Sequence, residues 1–243
     1  MNSLTGHVAL VTGGSSGIGR AIALGLSRQG ARVCIAGRNP AALAETVVAS
    51  AESSPITSFQ VDLTADESMQ PLLEYLRQKV GKLDILVHAA AVIRHSRMET
   101  AAIEDLDKQY ATNVRAPYVL TQHLLPLLEC ARGQIVFINS TLGLTAERPD
   151  IGQYAAAKHA LRGIADSLRQ EVNPKGIRVL TLYLGRTATP MQKALFEQAG
   201  KTYQPEMLLQ PEDVASLLIH TLALPETAEV TDVTIRPMNK ASN

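Results

Sequence analysis

Short β-type runs and segments of helical periodicity alternate from end to end of this 243-residue chain, and that alternation constrains its fold more than any other feature. Residues 7–12, 32–36, 56–61, 83–87, 134–139, 177–183 and 230–235 are apolar runs of strand length. Several are apolar at almost every position, the character of strands buried on both faces of a parallel sheet. Between them, Ile18, Ala21, Ile22, Gly25 and Leu26 follow the i, i+3, i+4, i+7 spacing of a helix. Longer helical stretches cover 103–130, 151–172 and 211–222. Asn39-Pro40 is a cap followed by proline at the first helical position, and Thr64-Ala-Asp-Glu67 has the form of a capping box. No fixed-period repeat and no Gly/Ser/Pro-rich linker interrupts the pattern. It predicts one α/β domain over residues 1–243, doubly wound, with a parallel sheet of about seven strands and helices on both faces.

Composition excludes several functions. Lys plus Arg and Asp plus Glu number 23 each, so no net field draws the chain to nucleic acid or to an anionic membrane. Tryptophan is absent and aromatic residues make up 4%, too few for the stacking platforms of single-strand binders. No apolar run approaches the ~20 residues that cross a bilayer, and no apolar signal core precedes the first strand. Cys34 and Cys130 lie far apart in apolar segments and are expected to be buried free thiols in a reducing compartment. A cytoplasmic protein is expected.

The first strand runs into Thr12-Gly-Gly-Ser-Ser-Gly-Ile-Gly19, directly ahead of the first helix. Glycines at 13, 17 and 19 permit a tight turn and close backbone approach to a diphosphate, which a helix N-terminus attracts. The spacing is G-x3-G-x-G, and a plain tight connection is the alternative. Its position after an N-terminal strand favours a dinucleotide. NAD enzymes usually place a carboxylate at the end of the second strand. Here Gly37 and Arg38 stand there, and a guanidinium suits a 2′-phosphate, so the expected cofactor is NADP(H). A solvated strand-end arginine is the alternative.

Tyr154-Ala-Ala-Ala-Lys158 sets a phenol and an ammonium one helical turn apart on one face. A phenol titrates near 10, and acid–base work at neutral pH needs roughly 3 units less, or about 4 kcal/mol. An ammonium about 5 Å away supplies about 3 kcal/mol at an effective dielectric of about 20, and an oxidised nicotinamide would add a second positive charge. Ser140 follows the fifth strand and so faces the crevice beyond the carboxyl ends, where its hydroxyl could share a substrate oxygen with the tyrosine. Taken alone it is equally a strand-end serine satisfying local backbone. Asn113 precedes Pro117 by four residues, which removes a helical partner from its carbonyl and predicts a kink. The freed carbonyl could hold a water linking Lys158 to solvent. A surface asparagine beside a packing kink is the other reading.

In combination these residues resemble the short-chain dehydrogenase/reductase family, in its shorter, non-extended branch, across about residues 6–191. Thr12–Gly19 resembles the family's TGxxxGxG turn, and Asn113, Ser140, Tyr154 and Lys158 fall at its catalytic tetrad. The resemblance implies a Rossmann-type fold, with Tyr154 as acid/base, Lys158 tuning it and binding ribose, Ser140 orienting the carbonyl and Asn113 serving a water relay. Asp62 matches the acidic residue that contacts adenine, while Gly185, Thr187 and Thr189 align with the PGxVxT segment. The cofactor set so implied is Gly13, Ser15, Ser16, Gly17, Ile18, Gly19, Arg38, Asp62, Leu63, Ala89, Asn113, Tyr154, Lys158, Gly185, Thr187 and Thr189, with no metal. Three stretches depart from the family pattern. His88-Ala-Ala-Ala91 replaces NNAG, Leu184 replaces the proline of the PG motif, and Thr231-Asp-Val-Thr-Ile-Arg-Pro-Met238 replaces the C-terminal glycine pattern. His88 is expected to be satisfied by its neighbours.

The function so implied is NADP(H)-dependent hydride transfer between nicotinamide and a carbonyl or alcohol carbon of a small molecule. A non-catalytic NADP(H) redox sensor is the alternative from another class, although a sensor needs neither Ser140 nor Tyr154. An extended-branch epimerase would carry a further substrate domain after the sheet. The segments 91–93, 141–144 and 191–196 are expected to wall the substrate, and their aliphatic content suits an apolar ketone, aldehyde or quinone. Arg94, His95 and Arg97 could meet an anionic tail or form a solvated loop. The resemblance also suggests a homodimer or homotetramer through the helices around 103–130 and 151–172.

Overall fold

The structure is a computed structural model that describes residues 4–238. The domain expected over 1–243 extends past these residues at both ends. Seven strands, β1 (Val8–Thr12), β2 (Arg32–Gly37), β3 (Ile56–Gln60), β4 (Ile85–His88), β5 (Gln134–Ser140), β6 (Arg178–Leu184) and β7 (Asp232–Ile235), form one sheet in the order β3-β2-β1-β4-β5-β6-β7. Every neighbouring pair is parallel. The order reverses direction between β1 and β4. A crevice opens beyond the carboxyl ends of the strands at such a switch point.

Alternation along the strands divides the core between two faces. Ala9 and Val11 pack toward α1 (Gly17–Arg28), Leu43 of α2 (Pro40–Val48), and Val214 and Leu218 of the helix Pro211–Leu222. Val8 and Leu10 point the other way, into a cluster with Leu72 and Leu73 of α3 (Gln70–Tyr75). Leu120, Leu124 and Leu128, from the helix Ala116–Ala131, complete that cluster with Leu161, Ala165 and Leu168 of Gly152–Val172. The doubly wound α/β fold predicted from the alternation is therefore the fold observed, with seven strands.

Several local expectations hold and others need correction. Asn39 caps α2, its Oδ1 accepting from the Ala42 N–H at 3.2 Å. Thr64 caps nothing. Its backbone N–H and hydroxyl both donate to Asp62 Oδ1, at 2.9 and 2.7 Å, and a 3-10 turn at Asp66–Met69 leads into α3 instead. The aspartate two residues back captures the groups that the capping box would have used. The stretch expected as one helix over 103–130 consists of α4 (Ile103–Tyr110), a π turn (Ala111–Arg115) and α5 (Ala116–Ala131). The helix widens just ahead of Pro117, where the Ala116 N–H donates to the Ala111 carbonyl, and such turns are common at functional sites. Cys34 is buried, but Cys130 is exposed, because it lies off the Leu120–Leu124–Leu128 stripe of α5. After α6 (Gly152–Val172) comes a helix that the periodicity did not signal, α7 (Pro190–Gln198), and the last helix among the described residues is α8 (Pro211–Leu222). Among the described residues, no helix is long and apolar enough to cross a membrane.

Candidate active site

The crevice beyond the strand ends is a cleft of about 500 Å³. Its floor at the switch point is made of backbone. Gly13 sits at φ +68°, and a side chain there would drive its Cβ to 2.8 Å from the Ala90 nitrogen. A Cβ on Gly19 would collide with the Gly13 carbonyl, so this glycine lets α1 seat directly on the turn. The Thr12 hydroxyl accepts from the N–H groups of Ala89 and Ala90, at 3.1 and 3.2 Å, and donates to the Val87 carbonyl. The turn at Ala89 and Ala90 is thus tied to β1 through its own backbone N–H groups.

The α1 end of the cleft suits a diphosphate. Ser16 is the N-cap but makes no side-chain cap, and the first turn of α1 holds no acidic residue. Ser15, Ser16, Gly17, Ile18 and Gly19 all line the cleft, as do Leu63, Ala89, Gly185, Thr187 and Thr189. Arg38 is exposed at the rim, beyond Gly37. Asp62 lies beside it, its carboxyl held below the usual range chiefly by the Thr64 hydroxyl and then by the Thr64 N–H, with Arg38 adding to the effect.

Tyr154 and Lys158 lie on the buried face of α6, one turn apart, at 8% and 2% exposure. Lys158 Nζ stands 5.7 Å from the centre of the Tyr154 ring and donates to the Ile138 carbonyl at 2.9 Å. Burial pushes the Lys158 ammonium down to about 8. It pushes the Tyr154 phenol up to about 12, with the nearby Ser140 hydroxyl pulling the other way. Burial thus outweighs the downward shift expected from the lysine, and the phenol stands above its ordinary range.

A residue not singled out in the sequence sets this geometry. Asn139 donates from Nδ2 to the Lys158 carbonyl at 3.1 Å and accepts at Oδ1 from the Ser140 N–H at 2.8 Å. It bolts the end of β5 to the turn of α6 that carries the lysine. Ser140 Oγ accepts from the Leu142 N–H at 3.1 Å, so the local-backbone reading of this serine is also true.

Asn113 is placed differently. It is buried, not on the surface, and it is absent from the cleft wall. Its side chain grips both backbone groups of Val92: the Val92 N–H donates to Oδ1 at 2.9 Å, and Nδ2 donates to the Val92 carbonyl at 2.8 Å. One turn earlier, Gln109 Oε1 accepts from the Arg94 N–H at 3.1 Å. The π turn and α4 together fix the segment after β4 that walls the cleft.

His88 is satisfied by neighbours, as expected. Its Nε2 pairs with the Thr121 hydroxyl at 2.8 Å, its ring stacks on Phe137, and burial pushes its titration down to about 3. The far end of the cleft is lined by Ala91, Val92, Ile93, Thr141, Leu142, Met191, Gln192 and Leu195, drawn from all three expected segments. His95, Arg148 and Arg186 line it too, and of these only His95 was singled out in the sequence. Arg94 is exposed and Arg97 pairs with Glu99 at 2.8 Å, so those two form a solvated loop.

Comparison with known proteins agrees with this architecture. The short chain dehydrogenase family matches residues 7–200. An uncharacterized oxidoreductase of Staphylococcus saprophyticus is 31% identical over 98% of this chain and 100% of its own length. A dehydrogenase/reductase from Sinorhizobium meliloti superposes with a TM-score of 0.84 at 32% identity, covering 96% of this chain and 95% of that one. The Pseudomonas aeruginosa RhlG/NADP active-site complex gives 0.85 at 29% identity, covering 96% of each chain. The fold and cleft define an α/β dinucleotide-binding type of oxidoreductase. The chain belongs to the short-chain dehydrogenase family.

Proposed function

We propose that this protein is an NADP(H)-dependent oxidoreductase that interconverts a carbonyl and an alcohol on a small molecule with an apolar body. The observation that carries this reading is the convergence of Ser140, Tyr154 and Lys158 on one wall of a cleft whose other end is the glycine turn and Arg38. The residues fit the cofactor: the uncapped N-terminus of α1 and the free Ser15 and Ser16 hydroxyls suit the diphosphate, and Arg38 beyond Gly37 suits a 2′-phosphate. Two NADP-type ligands bound to solved relatives of this fold support the same choice.

NADPH supplies the hydride when bound. The Ser140 hydroxyl positions the substrate carbonyl oxygen, and Tyr154 donates its phenolic proton to that oxygen as it gains charge. Lys158 stabilises the resulting phenolate across one helical turn and would bind the ribose hydroxyls of the cofactor. Asn113, through its grip on Val92, fixes the segment after β4 that walls the cleft, and its main-chain carbonyl, for which Pro117 has no N–H, serves as the relay site. Ile93, Leu142, Met191 and Leu195 give the substrate end an aliphatic lining that suits a ketone, aldehyde or quinone. The assembly is a homodimer or homotetramer through α4, α5 and α6, and the protein works in the cytoplasm.

Thermal shift with each dinucleotide, followed by NADPH oxidation across a carbonyl panel, tests the reading. At 100 times its Kd a cofactor adds about 2.7 kcal/mol of stability, and NADPH should do so at far lower concentration than NADH. Tyr154→Phe should bind NADPH normally and lose about 10²–10⁴-fold in turnover. A Tyr154→Phe enzyme of near-normal rate would remove the tyrosine from the mechanism.

A further inference from the structure

The substrate end of the cleft is not uniformly apolar. Arg186 follows Gly185 at the end of β6, Arg148 comes from the loop between Ser140 and α6, and both line the cleft that holds Ser140, Tyr154 and Lys158. They feel each other: Arg148 is among the causes that push the half-buried Arg186 down, after burial itself. Both also act on His95, which burial holds toward its neutral form against the pull of Asp150. Arg148 has a carboxylate neighbour, Asp150, at 3.6 Å. Arg186 has none among the described residues; its guanidinium lies over the Phe196 ring, 5.8 Å from the centroid.

We infer that this end of the cleft binds a carboxylate, so that the substrate is an oxo acid or hydroxy acid with an apolar body, anchored through Arg186 with Arg148 beside it. Charge favours a monoanion. Arg148 and Arg186 carry two positive charges, Asp150 carries one negative charge, and a neutral His95 adds nothing, which leaves one positive charge to be matched. A carboxylate matches it, and a planar guanidinium can hold both carboxylate oxygens. A phosphate dianion would overshoot. Leaving Arg186 unmatched is costly in a half-buried site, whereas a bound carboxylate would settle it between an aromatic face and an aliphatic wall. The inference rests on the oxidoreductase reading for the word substrate, but the anion site itself does not need turnover.

Binding is therefore the test. Calorimetry on the protein saturated with NADP⁺ would compare hexanoate, methyl hexanoate and hexyl phosphate. Hexanoate should bind at least tenfold more tightly than its methyl ester and more tightly than hexyl phosphate. Arg186→Met keeps the length and apolar stem, and should bring the ratio of hexanoate to ester affinity near one. Arg186→Lys should keep part of the preference, because charge remains while the two-point geometry is lost. Circular dichroism melts would confirm that each variant folds. Equal affinity for acid and ester, no hexanoate binding, tighter hexyl phosphate binding, or a preference that survives in Arg186→Met would each overturn the inference. Loss of NADPH affinity in Arg186→Met with the hexanoate preference intact would assign the arginine to the cofactor and overturn it as well. Failure of the oxidoreductase reading looks different: hexanoate binds through Arg186, yet no oxo acid, ketone or aldehyde is reduced.

Discussion

His88 is a histidine kept neutral by burial, and that has a measurable cost in acid. Its titration lies at about 3 in the folded protein against 6.5 in an exposed chain. Below pH 6.5 the unfolded chain takes up a proton that the folded one refuses, so stability from this residue is lost as pH falls from 6.5 toward 3. The slope is at most about 1.4 kcal/mol per pH unit. His88→Asn should therefore flatten the acid limb of a stability-against-pH curve measured by urea titration, even though loss of the Phe137 stack lowers its plateau. An unchanged slope would mean that water reaches the imidazole. Arg38 makes a second prediction at the same scale. Its guanidinium is exposed and, among the described residues, only its backbone carbonyl accepts a hydrogen bond, from Gln60 at 3.4 Å. Arg38→Ala should leave stability within about 0.5 kcal/mol and erase most of the NADPH-over-NADH preference in paired Kd measurements. If wild type and variant discriminate equally, Arg38 does not touch the 2′-phosphate.

The π turn shows what an element can do that its residues taken singly cannot. It places Asn113 so that one side chain satisfies both polar groups of Val92, and Asn113→Ala would strand two partly buried backbone groups at about 1–3 kcal/mol each. The melting temperature should drop accordingly. Asn113→Ala keeps the main-chain carbonyl that serves the relay, so KM should rise as the wall loosens, while kcat falls less than in Pro117→Ala, which gives that carbonyl an N–H partner. Pro117→Ala restores an N–H, and with it the choice of an ordinary α turn, so it should slow turnover with little change in the melt. The elements differ in how legible they were. Tyr154 and Lys158 could be paired from the sequence because one helical turn carries both, and the sheet could be drawn because buried parallel strands write themselves as apolar runs. α7 escaped because none of its residues is buried, so it has no apolar period to read. Its start was nevertheless written in Thr189-Pro190, where the threonine hydroxyl accepts from the Gln192 N–H. The Thr64 box failed because a local aspartate competed for the same donors. Asn139 and the Arg148–Arg186 pairing were out of reach, since each depends on segments brought together only by the sheet.

For the whole molecule, three of the eight large apolar side chains exposed among the described residues lie along α4 and α5. Ile103, Tyr110 and Tyr118 are each more than half exposed, in the region proposed above for subunit contact. Sedimentation should give a dimer or tetramer, and Tyr110→Glu with Tyr118→Glu should shift it toward the monomer; a wild-type monomer at micromolar concentration would refute the assembly. The two ends of the cleft are also built from different materials. The dinucleotide end is shaped by main chain and glycines, with Gly13 against Ala90 and Thr12 gripping two peptide N–H groups. The other end is shaped by side chains: Ile93, Leu142, Arg148, Arg186, Met191 and Leu195. A point mutation rewrites a side chain but leaves a peptide group in place. Such a lineage can trade one substrate for another by single replacements while its coenzyme stays seated, so new chemistry can be explored without first losing the old hydride source.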